Sequence, residues 1–216
     1  MWDTFTHFTL LGLCVVLWLA YFESLSTAQK MLGIALAATL VSELFALELM
    51  LKAINNLFIF HILVPIQYVF YALVFYFTLS SKGVRSLIIA SIGFVLVASV
   101  FFTLKVQKIH EYNSYMIIIK HFFMVIWILL YFRQLLIKAD VGNLLLEPMF
   151  WISTGLLFYS LGNFFIEGYM NYLIRTSMSM AQELYSVTTL LGLFMYALFF
   201  VSFLFARTFT DSYSNG

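Results

Sequence analysis

Residues 57–79 read LFIFHILVPIQYVFYALVFYFTL, and this stretch decides the fold class. It is 23 residues long and contains no Asp, Glu, Lys or Arg. A helix needs about 20 mostly apolar residues to cross the hydrocarbon core of a bilayer. Because that core offers no water to backbone N–H and C=O groups, a crossing chain must pair them internally, as an α-helix does. The stretch therefore predicts one membrane-spanning helix.

Six more apolar runs of similar length occur along the chain. The seven runs lie at residues 5–22, 31–51, 57–79, 87–104, 115–136, 149–169 and 184–205. The breaks between them are short and carry charge or turn-forming residues, which permits only neighbouring, antiparallel helices. We therefore predict an all-α, polytopic membrane protein in which residues 1–216 form a single seven-helix transmembrane domain.

Composition agrees with this prediction and excludes several partners. The chain is 63% hydrophobic and 10% charged, with a mean hydropathy of +1.00, so a soluble form would expose too much apolar surface. The net charge is +1 without a long basic cluster, which argues against nucleic acid as a partner. Cys14 is the single cysteine and lies inside the first run, so we expect no disulfide, no metal site and no cofactor.

The distribution of Lys and Arg predicts the orientation, because cytoplasmic loops carry more of them than external loops. One side holds Lys30, Lys82, Arg85, Arg133, Lys138 and Arg207, and the other holds Lys52, Lys105, Lys108 and Arg175. This bias predicts an N-terminus outside and a C-terminus in the cytoplasm. The first residues lack the features of a cleaved signal peptide, so we expect a retained first helix in the cytoplasmic (inner) membrane.

Two pairs of short segments indicate an internal repeat. Residues 16–22 (VLWLAYF) resemble residues 125–132 (VIWILLYF), and residues 45–48 (FALE) align with residues 164–167 (FFIE). Both pairs match helices four apart, which predicts two three-helix halves, residues 1–80 and 113–208, joined by a helix at 84–104. This 3+1+3 plan is similar to that of small sugar and vitamin transporters, although aromatic-rich helices also match by chance.

A second resemblance covers nearly the whole chain. It is carried by residues 55–61 (NNLFIFH) at the start of the third helix, and by residues 150–155 (FWISTG) and 162–163 (GN) in the sixth. These segments resemble an uncharacterised bacterial seven-helix integral membrane family. The resemblance implies the seven-helix fold and brings no known activity.

Ionisable and amide side chains concentrate in the half of the helices that would face outside. Such a group is costly in hydrocarbon unless it is paired or hydrated, so each one is a functional candidate. The inner halves of helices three, five, six and seven are almost free of ionisable groups. The asymmetry predicts a polar pocket that opens outward and is closed below by aromatic residues.

The ligand-binding candidates follow from their position in the outer half of the helices and from helical spacing, since positions three, four or seven apart share one helix face. We predict a pocket lined by Glu43, His61, Tyr68, Lys120, Asn163 and Glu167, with aromatic walls from Trp127 and Tyr159. Hydrogen-bonding groups among aromatic rings suit a small polar or amphipathic ligand.

Each candidate also has a structural interpretation. Glu48 and Lys52 are four apart and are expected to pair with each other at the interface. Lys120 is expected to pair with Glu48 or Glu167. Glu43 and Glu48 lie about 140° apart around their helix, so both should not face one ligand. For the remaining candidates, a structural role and a functional role stay open.

Three function classes remain. The leading hypothesis is a small-solute transporter whose two halves rock about the pocket. The second is a sensor subunit that signals to a separate cytoplasmic partner, and the third is an intramembrane acid–base enzyme acting on a lipid or isoprenoid. Residues 184–205 contain no lysine for a retinal Schiff base. Zinc catalysis is disfavoured because we place only His61 and His121 within the membrane. Besides the bilayer and a small-molecule ligand, a second copy of the chain is a compatible partner.

Overall fold

The structure is a computed structural model that describes residues 2–137 and 144–214. Seven α-helices make up most of it, and the described residues contain no strand. The helices are α1 Trp2–Ala20, α2 Thr27–Leu51, α3 Leu57–Thr78, α4 Lys82–Lys105, α5 Ser114–Ile137, α6 Pro148–Thr176 and α7 Met178–Ser214. Two short 3-10 turns lie at Phe22–Ser24 and Leu144–Leu146.

The helices have the length and composition of membrane spans. Six of them carry a long apolar segment, and the apolar part of α1, Phe5–Ala20, is shorter. The prediction of an all-α polytopic membrane protein is therefore confirmed. Local sequence explains two of the starts: Ser26 and Gln29 form a capping box before α2, and Pro148 occupies the first turn of α6.

The boundary between the last two helices was predicted wrongly. The seventh run was expected to begin at residue 184, but α7 begins at Met178 and follows α6 with Ser177 alone between them. The break at residues 171–183 is polar but contains neither Gly nor Pro. Such residues continue a helix beyond the apolar segment, so polarity there did not mark a loop.

Six of the helices form a closed ring. Each of α1, α2, α3, α5, α6 and α7 packs on the next in that order, α7 returns to α1, and α4 packs outside the ring on α3 and α5. This order is compatible with two three-helix halves joined by α4, and the repeat itself stays a prediction. We call the end at which α1, α3, α5 and α7 begin the His7 end, and the opposite end the Arg85 end.

A fully buried apolar core lies toward the Arg85 end. Fully buried side chains there form one apolar cluster from five of the ring helices: Leu32, Leu36, Phe75, Ile128, Ile152, Phe199 and Phe203. Small residues let the helices approach closely, as in other membrane bundles. A Cβ atom added at Gly155 would lie 3.3 Å from the backbone of Met195, so α6 and α7 touch at this glycine.

Candidate ligand-binding site

A polar cavity of about 320 Å³ lies at the His7 end and is partly open. All six ring helices contribute to its wall. Its lining consists of His7, Glu43, Asn56, Leu57, Phe60, Leu63, Val64, Gln67, Tyr71, Tyr112, Ile117, Lys120, His121, Tyr159, Glu167, Tyr185, Thr188, Thr189, Gly192, Met195 and Tyr196. The position of the cavity agrees with the asymmetry of polar residues in the sequence.

The eight predicted binding residues divide equally between the cavity and its surroundings. Glu43, Lys120, Tyr159 and Glu167 line it. His61, Tyr68, Trp127 and Asn163 are buried but do not belong to its lining. Their side chains are instead bonded within the bundle.

Tyr68 and Trp127 belong to a hydrogen-bond chain below and beside the cavity. The Ser91 hydroxyl donates to the Ile88 carbonyl at 2.6 Å, so the Tyr68 hydroxyl donates to Ser91 Oγ, also at 2.6 Å. Trp127 Nε1 donates in turn to the Tyr68 oxygen at 3.2 Å. The chain joins α5, α3 and α4 and satisfies the three side chains, which is the usual state of buried polar groups.

His61 and Asn163 are likewise bonded to the protein. His61 Nε2 donates to the Glu111 carbonyl and Nδ1 pairs with Thr103 Oγ1, each at 3.0 Å. These bonds fix α3 to α4 and to the connection before α5. Asn163 Nδ2 donates to the Tyr159 carbonyl at 2.8 Å on its own helix.

Glu43 contacts His7, a histidine that the sequence analysis did not place within the membrane. His7 Nε2 lies 2.8 Å from Glu43 Oε2 and joins α1 to α2. Both side chains are about one-fifth exposed, His7 at 20% and Glu43 at 22%. The sequence analysis counted only His61 and His121 within the membrane, and the structure places His7, from the first apolar run, beside Glu43.

Glu167 is held by a tyrosine from the connection before α5. The Tyr112 hydroxyl lies 2.7 Å and 2.6 Å from the two carboxylate oxygens of Glu167. Burial, and next the Glu167 carboxylate, raise the pKa of Tyr112 well above its usual value. Tyr112 therefore stays protonated and donates to Glu167 across the physiological pH range.

Lys120 does not form the ion pair that the sequence predicted. Its Nζ donates to Gln67 Oε1 at 3.0 Å, and Gln67 Nε2 donates to Thr39 Oγ1 at 2.8 Å. The predicted partners are engaged elsewhere, Glu167 with Tyr112 and Glu48 with Lys52. The direct ion pair, which was one of two alternatives left open for Lys120, is not formed because Gln67 and Tyr112 hydrogen-bond the two charged groups.

Several polar groups around the cavity have unused hydrogen-bonding capacity. His7 Nδ1, His121 Nδ1 and Thr188 Oγ1 are buried without a hydrogen-bond partner. The hydroxyls of Tyr71, Tyr159 and Tyr196 also lack a protein partner among the described residues, and their side chains line the cavity. Unpaired polar atoms are costly when dry, so these groups favour an occupied or hydrated cavity.

The floor of the cavity separates it from the apolar core. Tyr71, Met195 and Tyr196 are buried lining residues, and the Cys14 thiol donates to the Tyr196 carbonyl at 3.4 Å. Phe75 and Phe199 are fully buried in the core cluster. Among the described residues, no group of three His, Cys, Asp or Glu side chains could hold a metal ion.

The contributors missing from the predicted site include His7, Gln67 and Tyr112. Gln67 is an amide near the middle of the third apolar run, and its level was the signal that could have included it. The same level criterion, applied to α1, would have found His7. Tyr112 had no such signal, because it lies in a polar connection whose path depends on the packing of α3, α5 and α6.

The fold and the cavity define a class, a polytopic α-helical membrane protein with a polar cavity at one end of the helical bundle. Beyond that class, no family model, curated protein or solved structure matches this chain. The resemblance to a bacterial seven-helix family therefore stays a prediction.

Proposed function

We propose that the protein is a small-solute transporter of the cytoplasmic membrane that binds its solute in the cavity at the His7 end. One observation carries the proposal: unused polar groups from six helices surround a void at one end of the bundle, while the other end is packed with apolar side chains. This is the form expected of a transporter open to one side. Ligand cavities usually span about 300 to 1,000 Å³, so this one suits a small solute.

The contact between Lys120 and Gln67 gives the solute a way to change the conformation. It crosses from α5 to α3, which belong to different halves of the proposed 3+1+3 plan. The halves meet again where α7 packs on α1. A solute that binds the remaining donors of Lys120 draws this ammonium toward the cavity and so acts on one of these two interfaces. Such a differential interaction is what a ligand needs to shift a conformational equilibrium.

Transport is tested in liposomes that contain the full chain. We expect saturable uptake or counterflow of a labelled solute from a panel of amino acids, polyols, organic acids and amines. Lys120→Met should abolish it, and Lys52→Met should not, because Lys52 is exposed and pairs with Glu48. No accelerated flux for any solute in the panel would contradict transport.

A sensor is the second candidate, and α7 favours it. This helix spans Met178–Ser214 and has 37 residues, about 55 Å at 1.5 Å per residue. A bilayer core needs only about 30 Å. Its first half lines the cavity with Tyr185, Thr188 and Tyr196, and its last turns extend beyond the apolar segment that ends at Phe205. A solute in the cavity could therefore act on a partner at the Arg85 end.

Flux of a solute across the bilayer distinguishes a transporter from a sensor. A sensor should bind a solute without moving it across the bilayer, and the last turns of α7 should change their exposure. A single cysteine placed at Ser212, in a Cys14→Ser background, reports that exposure by its labelling rate. A solute that changes the labelling rate but shows no flux would favour the sensor.

A further inference from the structure

We infer that the solute is a small zwitterion whose anionic group binds Lys120 and whose cationic group binds near Glu43. This inference rests on the proposed solute-binding function and deepens it. The cavity presents a cationic pole on α5 and a carboxylate with tyrosine hydroxyls on the facing helices, and both poles retain unused hydrogen-bonding capacity.

The cationic pole is the ammonium of Lys120. It is only 4% exposed, and its bonded partner is the uncharged oxygen of Gln67. An ammonium has three donors, so two stay available to a ligand in the cavity. A buried ammonium without a carboxylate in direct contact is unfavourable, and a bound carboxylate is the group that would relieve it.

His121 strengthens this pole. It is 2% exposed and lines the same cavity. Its Nδ1 atom is buried without a partner. An imidazole beside an ammonium can donate to the second oxygen of a bound carboxylate, which would satisfy both side chains. The neighbouring Tyr159 ring packs edge-on against His121 at 5.4 Å and holds its position.

The anionic pole is formed by Glu43 and three tyrosines. Glu43 uses Oε2 for His7. Tyr71, Tyr159 and Tyr196 line the same cavity as Glu43, and their hydroxyl oxygens can accept hydrogen bonds from an amine. Aromatic rings beside a carboxylate also attract ammonium groups through their faces.

The two poles lie within reach of one small molecule. Gln67 bonds Lys120 on one side and Thr39 on the other. Glu43 is four residues beyond Thr39 on α2, which is about 6 Å along the helix at 1.5 Å per residue. Both poles line the same cavity of about 320 Å³.

The separation of the charged groups favours a ligand that carries both signs. The cavity holds one ammonium, Lys120, and two carboxylates, Glu43 and Glu167. A lone anion offers no partner to Glu43 and adds charge beside two carboxylates, and a lone cation offers no anionic partner to Lys120. A zwitterion supplies a partner to each pole and adds no net charge to a site where charge is costly.

The test is calorimetric titration of the purified full chain in lipid nanodiscs with matched probes. The zwitterions are glycine, γ-aminobutyrate and glycine betaine, the singly charged probes are butyrate and butylammonium, and the neutral probe is glycerol. We expect at least one zwitterion to bind ten times or more tightly than the singly charged and neutral probes. Lys120→Met should weaken that zwitterion at least tenfold and leave butylammonium unchanged, whereas Glu48→Gln should leave all affinities unchanged.

The outcomes separate the inference from the proposed function. Tighter binding of butyrate, butylammonium or glycerol than of every zwitterion would overturn the zwitterion and leave a solute-binding cavity. Binding of no probe, in a preparation that is monodisperse and shows a cooperative thermal transition, would overturn both. Because the probe series uses the unaltered protein, the answer does not depend on whether Lys120→Met folds.

Discussion

The two ends of the bundle are built from the same seven helices but satisfy opposite requirements. At the His7 end, polar groups such as His121 and Tyr159 surround a cavity and keep bonding capacity. At the Arg85 end, large apolar side chains such as Phe75 and Phe203 are fully buried against one another. The difference shows that the Arg85 end supplies stability, so that the His7 end can leave polar groups available.

The same contrast holds within one helix. Glu43 and Glu48 are both on α2, yet Glu43 lines the cavity while Glu48 is exposed and pairs with Lys52. The pairing of Glu48 with Lys52 was predicted from their spacing and is confirmed. Helical phase therefore decides which carboxylate is available to a ligand, since five residues turn the side chain by about 140°.

The largest effect on stability is expected from the packed end. Phe203→Ala removes a side chain that is 0% exposed, so it should lower the free energy of unfolding by about 3 to 5 kcal/mol through lost contacts and a residual cavity. Phe194→Ala is the matched control on α7, since Phe194 is 45% exposed on the surface of the bundle. Unfolding in mixed micelles with increasing dodecyl sulfate measures both. Equal losses would contradict a tightly packed Arg85 end.

The next largest effect is a coupling at the cavity. A double-mutant cycle of Tyr112→Phe and Glu167→Gln should give a coupling energy of about 1.5 to 3 kcal/mol, the range for hydrogen bonds to charged groups. The corresponding cycle of Lys120→Met and Glu167→Gln should give a smaller value, because Lys120 bonds Gln67 instead. The reverse order would mean that Lys120 leaves Gln67 and pairs with Glu167.

Much of the fold was predictable from the sequence because membrane helices satisfy their backbone internally. The apolar stretch at residues 57–79 predicted α3 at Leu57–Thr78 almost to the residue. Glu43, Lys120 and Glu167 lie in the half of their helices nearer the same end of the bundle, which indicated a polar pocket at that end. Both signals can be recognised in each helix by itself, without knowing how the helices pack.

What the sequence could not predict are contacts that depend on two or more helices. Tyr68 and Lys120 are both polar residues at depth, but Tyr68 meets Ser91 and Trp127 whereas Lys120 reaches the cavity. Their difference arises from the position of α4, which packs outside the ring. Rotation of each helix and the path of its connections are set by packing, and periodicity alone does not determine them.

Two glycine substitutions test the comparison of the two ends, and their expected effects on stability are moderate. A Cβ atom at Gly33 would clash with the Trp18 ring near the Arg85 end, so Gly33→Ala should cost about 1 to 3 kcal/mol by overpacking. At Gly192 in the cavity wall, the nearest atoms lie 3.8 Å away on Tyr159 and 4.0 Å away on His7. Gly192→Ala should therefore be neutral or stabilising by up to about 1 kcal/mol, since alanine favours helix. Thermal unfolding in detergent measures both, and a larger loss at Gly192 would contradict open space there.

The smallest effect, and the most direct comparison of polarity at the two ends, comes from two tyrosine hydroxyls. The Tyr131 hydroxyl, toward the Arg85 end of α5, is buried without a partner among the described residues, so Tyr131→Phe removes an unsatisfied group and should stabilise the protein by up to about 1 kcal/mol. Tyr159→Phe removes a hydroxyl of a cavity-lining residue, which water can solvate, so stability should change by less than about 0.5 kcal/mol.

The thermal midpoint and the affinity for a bound zwitterion are measured together. If the Arg85 end is dry and the His7 end is a site, Tyr131→Phe raises the midpoint without changing affinity, and Tyr159→Phe weakens binding without changing the midpoint. A lower thermal midpoint for Tyr131→Phe would show that water or a polar headgroup reaches that hydroxyl. The two ends would then differ in whether they bind a ligand and not in how far they are hydrated.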